Sequence, residues 1–142
     1  MIEMVIVIAI LGILSAAAIP LYTGYVERSR VYAAMEELSG MSTTIQNMGM
    51  ETGVYPRTLA EAGYGAAVDP WGNPYQYLNI ANAGGGVPGA RKDRFLVPIN
   101  SDFDLYSKGK DGNSMPALTA KASKDDVIRA NDGLYIGIAE GF

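Results

Sequence analysis

Residues 1–22 read MIEMVIVIAILGILSAAAIPLY, an apolar run with a single acidic side chain, Glu3. As an α-helix this run rises about 1.5 Å per residue and reaches roughly 33 Å, enough to cross the hydrocarbon core of a bilayer. No Lys or Arg precedes Arg28, unlike in a cleavable secretory signal, so we expect the segment to belong to the mature protein. The sequence therefore predicts a membrane-spanning helix at residues 1–22.

Glu3 is the unusual residue of this segment. A carboxylate at the centre of a bilayer costs at least ~2.5 kcal/mol, so a charge within a spanning helix is a candidate for function. Two interpretations stay open at this point. Glu3 either lies at the level of the lipid headgroups or has a partner inside the membrane.

Gly12 and Pro20 weaken the helix within the apolar run. Gly12 is a poor helix former, and Pro20 removes one backbone donor, so we expect the helix to bend or loosen between them. Gly12 and Ala16 also form a pair of small residues four apart, which lets another helix approach closely in lipid. Both Gly12 and Pro20 are therefore candidate assembly residues, together with Glu3.

The composition excludes several classes of function. The 142 residues carry a net charge of −4 and include no cysteine and no histidine. The chain therefore has no disulfide, no nucleophile or base of these two types, and no zinc site built from them. Its acidic balance argues against a nucleic-acid partner. A small domain without disulfides would gain from another staple, such as a hard metal ion or oligomerisation.

Beyond Pro20 the sequence has the pattern of an amphipathic helix. Apolar residues recur at steps of three or four, as expected for one buried face; they are Val31, Met35, Leu38, Met41, Ile45 and Met48. We expect a single helix from about residue 2 to residue 50, ended by Gly49 and Gly53. The predicted organisation is a helical part at residues 1–52 and a globular domain at residues 53–142.

The globular domain is predicted to contain short strands. The candidates are residues 75–78, 95–99, 103–107, 127–129 and 134–138. Asn131-Asp132-Gly133 joins the last two as a hairpin, because its turn residues can take positive φ. Glycines at residues 84–86 and 89 predict a flexible connection to about residue 94. The predicted fold is α+β, a long helix packed on a small, mainly antiparallel sheet with little room for a substrate cleft.

Acidic residues near the C-terminus form a candidate metal site. Asp111 lies in the tight loop at residues 108–113, and the chain returns with Asp125 and Asp126. Calcium takes six to eight oxygens from carboxylates and backbone carbonyls, which such an arrangement can supply. The spacing differs from that of an EF-hand, and it is also compatible with an ordinary solvated acidic loop.

Several stretches resemble those of a known family. Residues 2–8, 11–14 and 18–20 resemble the N-terminal methylation motif of type IV pilins and pseudopilins. DPWGNPYQY at residues 69–77 and DLYSKGKDG at residues 104–112 resemble hallmark stretches of the type II secretion major pseudopilin. The resemblance implies a type IV pilin-like fold and a structural subunit of a helical filament, not an enzyme.

The resemblance also implies partners and locations. Members are made as prepilins, cut and N-methylated by a prepilin peptidase, and held in the bacterial inner membrane. An assembly platform then extracts them into a periplasmic or cell-surface filament of like subunits with minor pilins or pseudopilins. Glu3 matches the family glutamate that is thought to neutralise the terminal amine of a neighbouring subunit. In calcium-binding members the ligands lie in the matching loop, which implies the carboxylates of Asp111, Asp125 and Asp126 and the carbonyl of Lys108.

The chain departs from the family pattern in three places. Mature members usually open Phe-Thr-Leu-Ile-Glu, whereas only Met1 precedes Ile-Glu here, so we expect two residues missing ahead of Met1 or a chain that starts late. The insertion at residues 112–124 and the tail at residues 127–142 are longer than in the secretion pseudopilin, the tail as in some type IV pilins. A secretion pseudopilin is therefore the first hypothesis, with a major pilin of an adhesive or motility pilus and a membrane-anchored periplasmic binding module as alternatives.

Overall fold

A computed structural model describes residues 1–83 and 86–142 of the chain. The predicted glycine-rich connection includes residues 84 and 85, which lie outside the described residues. The chain forms two compact units, Met1–Arg30 and Val31–Phe142. The boundary between these units lies after Arg30, whereas the boundary predicted from the sequence, after residue 52, was placed at the end of the long helix.

Helix α1 spans Ile2–Thr52, so it ends two residues beyond the predicted end. Gly53 follows with a φ of +74°, a conformation that glycine adopts without steric cost at a helix C-terminus. The apolar part of α1 is long and apolar enough to cross a membrane, and none of it is buried within the protein. This confirms the predicted apolar N-terminal helix.

Four antiparallel strands form one sheet in the order β1-β2-β3-β4, so each strand pairs with the one before it in the chain. The strands are β1 (Gln76–Asn79), β2 (Phe103–Ser107), β3 (Val127–Ala130) and β4 (Tyr135–Ile138). The turn Asn131–Gly133 joins β3 to β4 with positive φ at all three residues, which confirms the predicted hairpin. The α+β fold predicted from the sequence is confirmed.

The predicted strand at residues 95–99 is wrong. Asp93 and Leu96 exchange two backbone hydrogen bonds of 3.0 and 2.7 Å, which close a tight turn with Arg94 at a φ of +45°. Phe95 lies at the tip of this turn with its side chain fully exposed. The apolar composition suggested a strand, but the turn uses the backbone groups that pairing with a neighbouring strand would need.

The core of the Val31–Phe142 unit lies between α1 and one face of the sheet. Leu38, Met41 and Ile45 are buried in one cluster with Phe103 and Leu105. The other members of the predicted apolar stripe pack against this cluster, namely Val31, Met35 and Met48. A second cluster contains Ile99, Leu118, Ile128, Ala130 and Ala139. Because neighbouring residues of a strand point to opposite faces, the sheet is covered on both sides.

Candidate functional site

The two stretches that resemble the pseudopilin hallmarks contact each other. The Asp69 carboxylate accepts hydrogen bonds from the Ser107 hydroxyl at 2.5 Å and from the N–H groups of Trp71 and Asn73 at 3.1 and 2.8 Å. Asn73 in turn donates to the Gly109 carbonyl at 2.9 Å. These residues fix the loop that follows β2, so their role is structural.

The loop after β2 brings two of the predicted calcium ligands together. The Asp111 N–H donates to Oδ2 of Asp125 at 3.0 Å. Gly109 allows this approach, because a Cβ at its position would lie 2.3 Å from the Asp125 carbonyl oxygen, and its φ is +64°. Lys108 precedes this glycine and is half-buried. Asp111 and Asp125 therefore form one polar corner of the domain.

Asp126, the third predicted carboxylate ligand, is engaged by an arginine. Its side chain is fully buried, and its Oδ2 lies 2.5 Å from Nη2 of Arg91. The Ser114 hydroxyl donates to the same oxygen at 2.5 Å. Among residues 1–83 and 86–142, no three acidic side chains are placed so that they could hold a metal ion. These residues do not fit a site in which three carboxylates share one calcium, and calcium binding stays a prediction.

Arg91 connects several segments of the domain from a buried position. Its Nη1 donates to the Ser114 hydroxyl and to the Met115 carbonyl, at 2.5 and 2.8 Å. Its backbone N–H donates to the buried Asp104 carboxylate at 2.6 Å. The guanidinium carbon lies 4.2 Å from the ring centre of Tyr106, which is cation–π geometry. Arg91 thus places a positive charge beside Asp126, one of the carboxylates predicted to bind calcium.

A second buried arginine, Arg129 of β3, has a parallel role. Its two terminal nitrogens reach both oxygens of Asp102 at 2.8 and 2.6 Å, a bidentate pair. Its Nε donates to the Ser42 hydroxyl of α1 at 2.7 Å, and its guanidinium stacks over the Phe103 ring at 4.0 Å. The pair therefore joins β3 to α1 and to the start of β2.

Comparison with known proteins gives relatives that cover most of the chain. It is 29% identical over 133 residues to type II secretion system core protein G of Pseudomonas aeruginosa, which covers 79% of this chain and 82% of that protein. It is 28% identical over 145 residues to the type IV major pilin protein PilE of Neisseria gonorrhoeae, with 94% and 84% covered. The chain is a homologue of type IV pilins and type II secretion pseudopilins. A fimbrial protein of Neisseria meningitidis is 26% identical over 132 residues.

No protein-family profile matches this pilin homologue. No solved structure matches it with statistical significance. The homology to pilins and pseudopilins therefore rests on the sequence relatives just named.

The three predicted assembly residues of the pilin homologue, Glu3, Gly12 and Pro20, are exposed in the Met1–Arg30 unit. A Cβ at Gly12 would meet no atom within 4 Å, so its surface is open to another helix. The hydroxyls of Ser15 and Thr23 donate to carbonyls four and three residues earlier, at 2.7 and 3.0 Å. Helix is assigned throughout residues 12–20, so loosening of this stretch stays a prediction for the assembled state.

Sequence reasoning missed both buried arginines. Arg129 left a usable signal, since a lone charge inside the apolar strand VIRA indicates a residue that needs a buried partner. The sequence around Arg91 gives no such signal, because Arg91 lies in the predicted flexible connection and its partner Asp126 comes 35 residues later. Pairing across such a separation follows from the fold and not from local pattern.

We expect the carboxyl of Asp126 to titrate near pH 6. Burial raises the pKa of Asp126 from 3.8 to about 6, and the hydrogen bond from Ser114 and the charge of Arg91 oppose this only in part. The folded chain therefore takes up this proton before the unfolded chain does as the pH falls. The contribution of the group to the free energy of unfolding is greatest below about pH 4 and decreases as the pH rises through about 6.

Carbon-13 NMR of the aspartate carboxyls, with the full chain in detergent micelles, measures this titration. Asp132 is the internal comparison: burial acts on it too, but hydrogen bonds with Ser101 and Asp102 together outweigh burial and lower the pKa of Asp132. An Asp126 midpoint at or below the ordinary aspartate value would show that the attraction of Arg91 outweighs burial.

Proposed function

We propose that this chain is a structural subunit of a helical, pilus-like filament, and specifically the major pseudopilin of a type II secretion system. The observation that carries the proposal is the exposed apolar part of α1 with Glu3 in its first turn. A helix that only anchors a domain needs no carboxylate near its apolar end. In a bundle of such helices, a carboxylate can instead neutralise the terminal amine of a neighbour.

The homologues support a filament subunit in general. Protein G of P. aeruginosa is a core protein of a type II secretion system by name, and PilE of N. gonorrhoeae is a major pilin. On this proposal the subunit waits in the bacterial inner membrane after processing by a prepilin peptidase. An assembly platform then adds it to a filament of like subunits with minor pseudopilins.

A surface type IV pilus is the second candidate. The match to PilE covers 94% of this chain, against 79% for the match to protein G. The extra coverage favours a major pilin, whereas the contact between the hallmark stretches at residues 69–77 and 104–112 favours the secretion pseudopilin through its resemblance to that protein.

Deletion of the gene in its own bacterium separates the two candidates. For a pseudopilin, we expect exported proteins to disappear from the medium while surface pili remain, and a plasmid copy of the gene should restore export. Loss of sheared surface pili with normal export would instead identify a major pilin. If both remain normal and overproduction yields no filament that reacts with antibody to this chain, the filament proposal is overturned.

A further inference from the structure

An exposed apolar turn lies on the surface of the Val31–Phe142 unit, which is called the globular unit below. The turn comprises residues 93–97 and is called the tip loop below. Phe95 is fully exposed, and Leu96 and Val97 are 47% and 60% exposed. The two backbone hydrogen bonds between Asp93 and Leu96 hold Phe95 on a short turn, so little conformational freedom remains to be lost on binding. Aromatic side chains held in this way are typical anchors of protein interfaces.

A groove on the same unit has the complementary chemistry. It has a volume of about 430 Å³ and lies between α1 and the segment that precedes β1. Its apolar lining includes Met41, Tyr64 and Val68, the last of which is 55% exposed. Glu37 of α1 lies at its edge and accepts a hydrogen bond from the Tyr75 hydroxyl at 2.5 Å.

We propose that the tip loop of one subunit docks in this groove on a second copy of the chain, with Phe95 inserted against the apolar lining. The inference rests on the proposed filament and names one of its subunit contacts. The charges indicate a like chain as the partner: exposed Lys92 precedes the tip loop, exposed Arg94 lies within it, and exposed Glu37 lies at the edge of the groove. Opposite charges at such a rim steer association and fix its register.

The geometry of this contact suits a filament. The tip loop and the groove share no residue, so the contact joins two different surfaces of identical chains. A contact of this kind is heterologous, and it repeats into an open helical array when its rotation does not close a ring. Each subunit would then use its tip loop toward one neighbour and its groove toward another.

A disulfide test follows from the absence of cysteine in the chain. In filaments sheared from cells and treated with an oxidant, the variant carrying Phe95→Cys and Val68→Cys should give a ladder of linked subunits on a denaturing gel. Either single variant can give at most linked pairs. The matched control carries Leu134→Cys with Val68→Cys, because Leu134, like Phe95, is almost fully exposed (92%) but lies outside the tip loop; we expect no ladder.

A charge exchange gives an independent readout. Arg94→Glu should reduce the yield of sedimented filaments several-fold, and Glu37→Arg added to it should restore most of the yield. If filaments form and the paired cysteines give no more ladder than the control, the docking proposal is overturned while the filament function stands. Failure of the wild-type chain to form any filament overturns the proposed function and the docking together.

Discussion

Glu3→Ala is expected to abolish or sharply reduce filaments while leaving the subunit in the membrane. Removing the only charged side chain of residues 1–22 lowers the cost of placing the helix in lipid, so insertion should be at least as efficient as in the wild type. Assembly should fail because the terminal amine of the neighbouring subunit loses its counter-charge. Membrane fractionation measures the first effect, and electron microscopy of sheared filaments measures the second.

Two further variants separate charge from shape at this position. Glu3→Gln keeps the size of the side chain without its charge and should behave like Glu3→Ala, whereas Glu3→Asp should keep part of the assembly. Glu51→Ala, an exposed acid near the other end of α1, is the control and should assemble normally. Wild-type filament yield from Glu3→Gln would contradict charge compensation.

Arg91→Met is expected to destabilise the globular unit by about 3–5 kcal/mol, because it leaves a buried carboxylate without its partner. The carboxylate that loses its cation is that of Asp126, which is fully buried and lies 2.5 Å from the guanidinium. The Met115 carbonyl loses one donor as well but keeps the hydrogen bond from the Ser123 hydroxyl. Urea unfolding of the full chain in detergent, followed by the fluorescence of Trp71, measures the change.

An exposed ion pair in the same unit is the matched control. Lys124 and Glu140 lie 3.0 Å apart, with side chains 51% and 66% exposed. Pairs of this kind contribute less than about 1 kcal/mol, so Lys124→Met should shift the unfolding curve little. Adding Asp126→Leu to Arg91→Met removes the stranded charge and should recover much of the loss. Equal effects of Arg91→Met and Lys124→Met would show that the buried pair has no special role.

The same preparation tests whether calcium also stabilises the loop. The predicted ligands Asp111 and Asp125 lie together, so calcium bound there should raise the melting temperature of the wild type several degrees above that in chelator. Equal melting in calcium and in chelator would contradict the predicted site. A rise of several degrees that disappears in Asp125→Asn would show that calcium binds at this corner in addition to the arginine.

The features that were predictable from the sequence depend on near neighbours in the chain. The step of three or four residues from Val31 to Met48 predicted the buried face of α1, and Gly53 predicted its end to within two residues. Asn131-Asp132-Gly133 predicted the hairpin because Asn, Asp and Gly are the residue types that adopt positive φ most readily, as a tight hairpin turn requires. Local pattern and turn chemistry were sufficient in each case.

The features that were not predictable depend on distant residues. Phe95 and its neighbours have the composition of a strand, but the two backbone hydrogen bonds between Asp93 and Leu96 close them into a turn. Asp126 has the spacing of a metal ligand, yet its counter-charge is an arginine 35 residues earlier. The sequence indicated that the acidic residues need a positive charge nearby, but it could not show that Arg91 provides one for Asp126.

The two buried arginines also set the order in which the chain can fold. Each strand pairs with the next strand in the chain, from β1 to β4. The partner of Arg91, however, is Asp126, which is made only with β3 close behind it. Likewise, the cation that pairs with Asp102 is Arg129 of β3. A nascent chain that has emerged as far as β2 therefore carries charges that are too costly to bury. The globular unit can therefore close only after β3 has been made, and a shorter nascent chain stays largely open until then.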